Sequence, residues 1–243
     1  IVFGIISITI KNRIMRIFYI SVTVLAWIGM MMSGTRGAMI VPFGGVLLYF
    51  LISKSIKMMV SSCILGAIVF SFFYFTDIGD NNVFIKRMRT AFRPTEDASF
   101  NVRKENQKRF AYYLADKPFG VGVGGHVVDT KRIMVLNEDF IPTDSFYVGI
   151  WVEGGIVGLC LYITLQILVL LRCCYLLMFK IKNKQLRLIL SAMLCGVFGL
   201  WLNGYVGRAM GFQPSSFIIA VFLSFILNGP VMDRQLKENE III

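Results

Sequence analysis

Long apolar runs separated by short charged clusters set the pattern of this chain. The apolar runs lie at about 17–34, 38–53, 58–76, 145–178, 188–207 and 214–229. An α-helix crosses the hydrocarbon of a membrane with about 20 mostly apolar residues. The pattern therefore predicts an all-α, polytopic membrane protein whose helices form a bundle.

The charged clusters between the runs, at 11–16, 54–57, 180–187 and 233–240, are predominantly basic. If the spans alternate in direction, all four clusters fall on one side, which the positive-inside rule makes cytoplasmic. The other side then carries the link 33–38, the long segment 78–142 and the link 204–214. We therefore divide the chain into transmembrane helices in 1–77, an outer loop 78–142, transmembrane helices in 143–230 and a cytoplasmic tail 231–243. Because the chain opens within an apolar run, we expect 1–77 to lack spans that precede it.

Composition supports the membrane assignment, since 56% of the residues are hydrophobic and only 16% are charged. The formal net charge of +11 would favour a nucleic-acid partner in a soluble protein. Here much of that charge follows from topology, so we expect membrane lipids as partners and no nucleic acid. The five cysteines all fall in predicted spans, where a disulfide framework is not expected.

The outer loop contains one stretch, 101–116, that is compatible with a helix and is ended by Pro118 and Gly120. On that helix one face carries residues at helical spacing, namely Arg103, Gln107, Phe110 and Leu114. The stretch therefore predicts an amphipathic helix on the membrane surface with an inward arginine. The loop holds eleven basic residues against eight acidic ones, which favours an anionic ligand, although a solvated loop is the alternative.

Two features that resemble cofactor sites do not fit their contexts. The glycines at 120, 122, 124 and 125 have neither a preceding strand nor a following GK[ST], so they predict a tight turn without a nucleotide. His126 is the single histidine and has no cysteine near it, which argues against a metal site. We expect no cofactor and no metal.

Two arginines lie in short links between apolar runs on the outer side. Arg36 is flanked by Gly34 and Gly37, and Arg208 lies in a similar glycine-containing link. Guanidinium groups at one depth would bind a phosphate or diphosphate through their planar forks. The alternative is an interfacial arginine whose side chain extends to the headgroups.

Three motifs in order resemble the signature of the O-antigen ligase and O-antigen polymerase family. They are "SGTRGA" at 33–38, an arginine (Arg103) fifteen residues before "PFGVGVG", and "TDSFYVGIWVEGGIVGL" at 143–159. The third motif of the family commonly reads histidine, then Asn, Ser or Gln, nine residues, then GxxG. Ser145 and Gly155 to Gly158 fit this motif, whereas Asp144 stands where the family has the histidine.

The resemblance implies a bundle of the glycosyltransferase C type in a bacterial inner membrane, with its active face in the periplasm. The implied donor is a polyprenyl (undecaprenyl) diphosphate-linked glycan, and the acceptor is a lipid core or another glycan, in surface polysaccharide and lipopolysaccharide biosynthesis. Ligase and polymerase both remain open. The resemblance implies Asp144 as the catalytic base and Arg36, Arg103 and Arg208 as diphosphate ligands, with Glu153 and Arg109 in support.

Asp144 and Glu153 place carboxylates at a predicted span, at a cost on the order of 2.5–3.5 kcal/mol each on insertion scales. Nine residues of unbroken helix turn through about 900°, which puts the two on opposite faces unless Gly154 and Gly155 break the helix. We therefore expect Asp144 to react and Glu153 to be structural. A transporter or flippase for lipid-linked sugars, or a non-catalytic subunit, would also carry intramembrane charge. The placement of the candidate residues on one side favours chemistry at one face.

Overall fold

The computed structural model describes residues 2–7, 10–32, 40–53, 56–78, 81, 85–86, 89, 92–93, 98–124 and 145–242. All helices longer than one turn in these ranges are as follows: α1 (Val2–Ser7), α2 (Arg13–Met32), α3 (Ile40–Ser53), α4 (Ile56–Phe75), α5 (Ala98–Tyr113), α6 (Phe146–Tyr175), α7 (Lys184–Asn203) and α8 (Ser215–Ile242). A π-helical turn, Leu176–Lys180, extends α6, and a 3-10 turn, Ala209–Gly211, precedes α8. No strand occurs in the described ranges, which confirms the all-α prediction.

Four helices are long and apolar enough to cross a membrane. They are Arg13–Met30, Phe146–Lys180, Lys184–Asn203 and Ser215–Glu238, and shorter apolar helices lie at Val41–Ser53 and Gly66–Phe75. At 1.5 Å per residue, 18 helical residues extend about 27 Å, close to the roughly 30 Å of a bilayer's hydrocarbon. The chain is therefore a polytopic helical membrane protein, as predicted.

Two helix ends differ from the predicted spans. α7 begins at Lys184, before the predicted 188, because the Asn183 side chain caps it by accepting hydrogen bonds from Gln185 N and Leu186 N. α8 continues to Ile242, although the predicted span stops at 229. Residues 234–238 are strong helix formers, so the predicted tail extends α8 as a charged helix.

Helix α7 is the centre of the bundle, and glycines bring its neighbours close. A β-carbon on Gly199 would lie 2.7 Å from the Val41 carbonyl oxygen of α3, and one on Gly196 would lie 3.1 Å from Val2 of α1. Small residues at such contacts let transmembrane helices approach closely. The largest buried cluster surrounds α7 and includes Leu177, Leu190, Leu194, Cys195 and Ile226.

The bundle has two chemically distinct ends. At the first, the basic end, Lys182 N and Asn183 N donate to the Asp233 carboxylate at 3.3 and 2.7 Å, and Lys237 lies 3.4 Å from it. At the opposite link end, Ser145 Oγ donates to Gly204 O at 3.1 Å. The basic clusters at 180–187 and 233–240 therefore share one end, as predicted from alternating spans.

The start of α3 belongs to the link end as well. Val41, the second residue of α3, contacts Gly199 near the last turn of α7, whereas Asn203 ends that helix. The chain that precedes α3, which contains Arg36, therefore enters the bundle from the same end as Ser145 and Gly204.

Candidate functional site

Four of the six predicted site residues are described by the structure, namely Arg103, Arg109, Glu153 and Arg208. Arg36 and Asp144 lie outside the described residues, as does His126. Asp144 directly precedes Ser145 in the sequence, and Ser145 is the first described residue of the link end. The geometry around α6 therefore defines the surroundings into which the candidate base must lead.

Ser145 fixes the beginning of α6. Its Oγ accepts a hydrogen bond from Val148 N at 3.5 Å, which makes it the N-cap, and donates to Gly204 O at 3.1 Å. The backbone of Phe146 also donates to Gly204 O, at 2.9 Å. Ser145 is buried, so the family motif position has a structural role here: it ties the start of α6 to the end of α7.

Helix α6 is broken at Gly155, the first glycine of the GxxG motif. Gly155 has φ 65° and ψ −169°, a region that is essentially restricted to glycine. A β-carbon there would collide with the carbonyl of Pro118. The residue must therefore be glycine for two independent reasons, backbone conformation and close approach of another segment.

The segment 118–124 lies across this break and satisfies its backbone groups. Val121 N donates to Val152 O at 3.0 Å, Gly122 N donates to Glu153 O at 3.0 Å, and Val157 N donates to Pro118 O at 3.2 Å. Backbone groups in a membrane protein need internal partners because lipid supplies none. The predicted tight turn is thus also the partner of a broken helix.

Glu153 holds the end of the same segment. Its Oε1 accepts a hydrogen bond of 2.9 Å from Gly124 N, and its side chain is half-buried. The break at Gly155 follows Glu153, so it does not change the helical phase between Ser145 and Glu153. The contact with Gly124 agrees with the expected structural role of Glu153, whereas the role of Asp144 stays a prediction.

Helix α5 forms close to the predicted place and packs on α6. Phe110 and Leu114 are 1% and 6% exposed and lie in one cluster with Val152 of α6, with Val148 and Trp151 packed against it. The apolar part of the predicted inward stripe is therefore confirmed. Arg103, two turns before Phe110 on this face, is half-buried, and its Nε is buried with no hydrogen-bond acceptor among the described residues.

Arg208 approaches α6 from the link between α7 and α8. Its Nη2 lies 3.6 Å from the position that a β-carbon on Gly149 would occupy, and its guanidinium lies 5.8 Å from the centre of the Phe212 ring. Gly149 and Val152 are three residues apart and are therefore neighbours on one helical face. Arg208 and the helix that carries Arg103 thus contact adjacent positions of the first turns of α6.

Several other basic residues of the outer loop are engaged by the protein itself. Arg93 donates through Nε and Nη2 to Tyr74 O, at 3.0 and 2.7 Å, and through Nη2 to Asp77 at 3.1 Å. Arg109 is exposed and lies 3.9 Å from Glu105. The surplus of positive charge in the sequence thus includes residues with structural partners, and Arg103 and Arg208 are the described arginines that flank α6.

A polar network in the bundle is absent from the sequence-based predictions. Tyr147 Oη donates to Trp201 O at 2.8 Å and lies 3.1 Å from Gln166 Oε1, while Gln166 Nε2 donates to Tyr162 Oη at 3.4 Å. Gln166 is buried and interrupts an apolar run, which is the signal that would have marked it. The network connects α6 to α7 below the site.

The described part of the chain contains no cluster of three or more His, Cys, Asp or Glu side chains that could hold a metal ion. Comparison with protein families matched residues 21–163 to a family model described as O-antigen ligase, which confirms the resemblance. The matched region contains Arg36, Arg103, Asp144 and Glu153 and ends before Arg208. No curated protein and no solved structure gave a significant match.

Proposed function

The chain belongs to the O-antigen ligase family, and from this membership and the geometry of the link end we propose that it is a lipid-linked glycan glycosyltransferase of the glycosyltransferase C type. The proposed donor is a polyprenyl diphosphate-linked glycan. The acceptor is a hydroxyl of a lipid core or of another repeat unit. The link end is the proposed active face, and it faces the periplasm from the bacterial inner membrane.

The proposed reaction is one displacement at the anomeric carbon of the donor. The acceptor oxygen forms a bond to that carbon, and the bond between the carbon and the diphosphate oxygen breaks. The acceptor proton moves to the carboxylate of Asp144, which needs only position and a suitable pKa to act as a general base. The polyprenyl diphosphate leaves as an anion, stabilised by Arg36, Arg103 and Arg208.

One observation supports this proposal above the others: two arginines from distant segments approach the same turns of α6. Arg208 contacts Gly149, and α5, the helix of Arg103, packs on Val152. These turns follow directly after Asp144 in the sequence. Cations next to the start of a broken membrane helix are suited to a diphosphate leaving group, because arginine binds phosphate oxygens bidentately.

The orientation follows from charge. The basic end carries Lys180, Lys182, Lys184 and Arg187 beside Arg234 and Lys237, so the positive-inside rule makes it cytoplasmic. Phosphate-binding arginines and the loop 78–142 then lie on the periplasmic side. That is the side on which a lipid-linked glycan and its acceptor would meet.

The second candidate function is transport of lipid-linked sugars across the membrane. A transporter of this kind usually places broken helices and polar groups near the bilayer midplane. Here the break at Gly155 lies nine residues from the first residue of α6, Phe146, in a helix and π-turn that together extend to Lys180. The position near one end favours surface chemistry over passage through the midplane.

The test is transfer by the purified protein from undecaprenyl diphosphate-linked glycan to an acceptor, beside a proteoliposome assay of donor translocation. Transfer without translocation supports the proposal, and translocation without transfer contradicts it. Glycan analysis of a deletion strain then separates two activities. Short chains on a capped core indicate loss of a polymerase, whereas full-length chains that stay lipid-linked indicate loss of a ligase.

A further inference from the structure

Two buried N–H groups on one face of α5 find no acceptor among the described residues. They are Arg103 Nε and Asn106 Nδ2. The two residues are three apart, so their side chains leave the helix as neighbours, with β-carbons about 5–6 Å apart. The same face carries Phe110, which is 1% exposed and packs on α6.

Such a pair is costly for the protein without a ligand. A buried donor that lacks an acceptor costs about 1–3 kcal/mol, and native structures contain few of them. The remaining buried nitrogens of this kind that the described residues contain belong to Arg89, whose Nη1 lies 3.8 Å from the Asp77 carboxylate. At the position of Asn106, an apolar residue would continue the stripe formed by Phe110 and Leu114 at lower cost.

We propose that Asn106 recognises the first sugar of the lipid-linked donor while Arg103 binds the diphosphate beside it. This inference rests on the proposed function. The guanidinium matches an anionic phosphate oxygen, whereas the neutral amide N–H matches a hydroxyl or acetamido carbonyl oxygen. The first sugar is bonded directly to the diphosphate, so its oxygens are adjacent to the phosphate, as Asn106 is adjacent to Arg103.

Binding of two probes to the purified protein in detergent separates sugar recognition from phosphate binding. The probes are undecaprenyl diphosphate and undecaprenyl diphosphate N-acetylglucosamine. Asn106→Ala should raise the Kd for the glycosylated lipid roughly 3- to 10-fold, the effect of one neutral hydrogen bond, and leave the Kd for the sugar-free lipid unchanged. Arg103→Ala should raise both. Asn101→Ala changes an exposed asparagine on the same helix and should raise neither.

Thermal unfolding supplies a readout that a structural asparagine would not give. Because the Asn106 amide N–H has no acceptor among the described residues, Asn106→Leu should keep or raise the Tm while it weakens binding of the glycosylated lipid. A lowered Tm in both Asn106 variants would overturn the proposal and make the residue structural. Equal weakening of both lipids, or of neither, would overturn the assignment to the sugar. If the wild-type protein binds neither lipid, the donor class of the proposed function fails instead.

Discussion

Glu153 and Gly124, 29 residues apart in the chain, are joined by a hydrogen bond of 2.9 Å from the backbone N–H of Gly124 to the side-chain Oε1 of Glu153. The bond closes the contact between segment 118–124 and the broken helix α6. It also fixes the point from which the chain continues toward Asp144. The carboxylate inside the apolar run is therefore part of the scaffold of the link end.

Substitutions at Glu153 should separate the hydrogen bond from the charge. Glu153→Gln keeps a side-chain oxygen that accepts from Gly124 N, so it should retain most of the transfer activity and stability. Glu153→Ala removes the acceptor and should lower the free energy of unfolding by about 1–2 kcal/mol. Thermal unfolding in detergent and transfer assays measure both effects. A glutamine variant as impaired as the alanine variant would show that the charge itself is required.

The two adjacent glycines of α6 should respond differently to alanine. Gly155→Ala places a β-carbon against Pro118 and forces alanine into a glycine-only backbone region, which should cost about 1–3 kcal/mol or more. Gly154 has no described atom within 4 Å of an added β-carbon, so Gly154→Ala is the matched control and should be tolerated. Yield and Tm of the two variants check the difference. Equal stability would contradict a break at Gly155.

The helices follow from the sequence because apolar length determines them. The predicted outer helix at 101–116 corresponds to α5, Ala98–Tyr113, and its apolar stripe packs through Phe110 and Leu114. The ends are less predictable. The continuation of α8 past Pro230 depends on helix formers in 234–238 and on Asp233 accepting from Asn183 N, a contact made between distant parts of the chain.

The site follows from the sequence only in part, since the contacts that shape it are long-range. The phase argument separates Asp144 from Glu153 correctly only if the helix between them is continuous, and the structure places the break one step later, at Gly155. The partner of that break, Pro118, carries no local signal of its role. The approach of Arg208 to Gly149 is likewise set by the packing of α7 on α6.

Lysine in place of the flanking arginines should impair transfer although the charge is kept. Arg103→Lys and Arg208→Lys lose the bidentate fork, which should lower kcat/KM roughly 10- to 100-fold, the effect of losing a hydrogen bond to a charged group. Arg234→Lys, at an exposed position of the basic end, is the control. Near-normal transfer by both test variants at matched expression would reduce these arginines to interfacial anchors.

The proposed orientation is tested by single cysteines in a version that lacks the five native ones. Val123 is 98% exposed beside the break in α6, and Lys184 is exposed at the basic end. Val123→Cys should react with an impermeant thiol reagent from outside intact spheroplasts, whereas Lys184→Cys should react after permeabilisation alone. The reverse pattern would place the arginines on the cytoplasmic face.

The central claim is that Asp144 is the general base of the transfer reaction, and its variants test that claim most directly. The measurement is kcat for transfer from purified undecaprenyl diphosphate-linked glycan to its acceptor, with the yield and Tm of each variant determined in parallel. Asp144→Asn removes the proton acceptor with little change in shape and should lower kcat on the order of 10²-fold or more. Asp144→His should restore part of the rate, because imidazole is also a proton acceptor, and Glu153→Gln should stay close to wild type. A fully active, normally folded Asp144→Asn variant would contradict the mechanism.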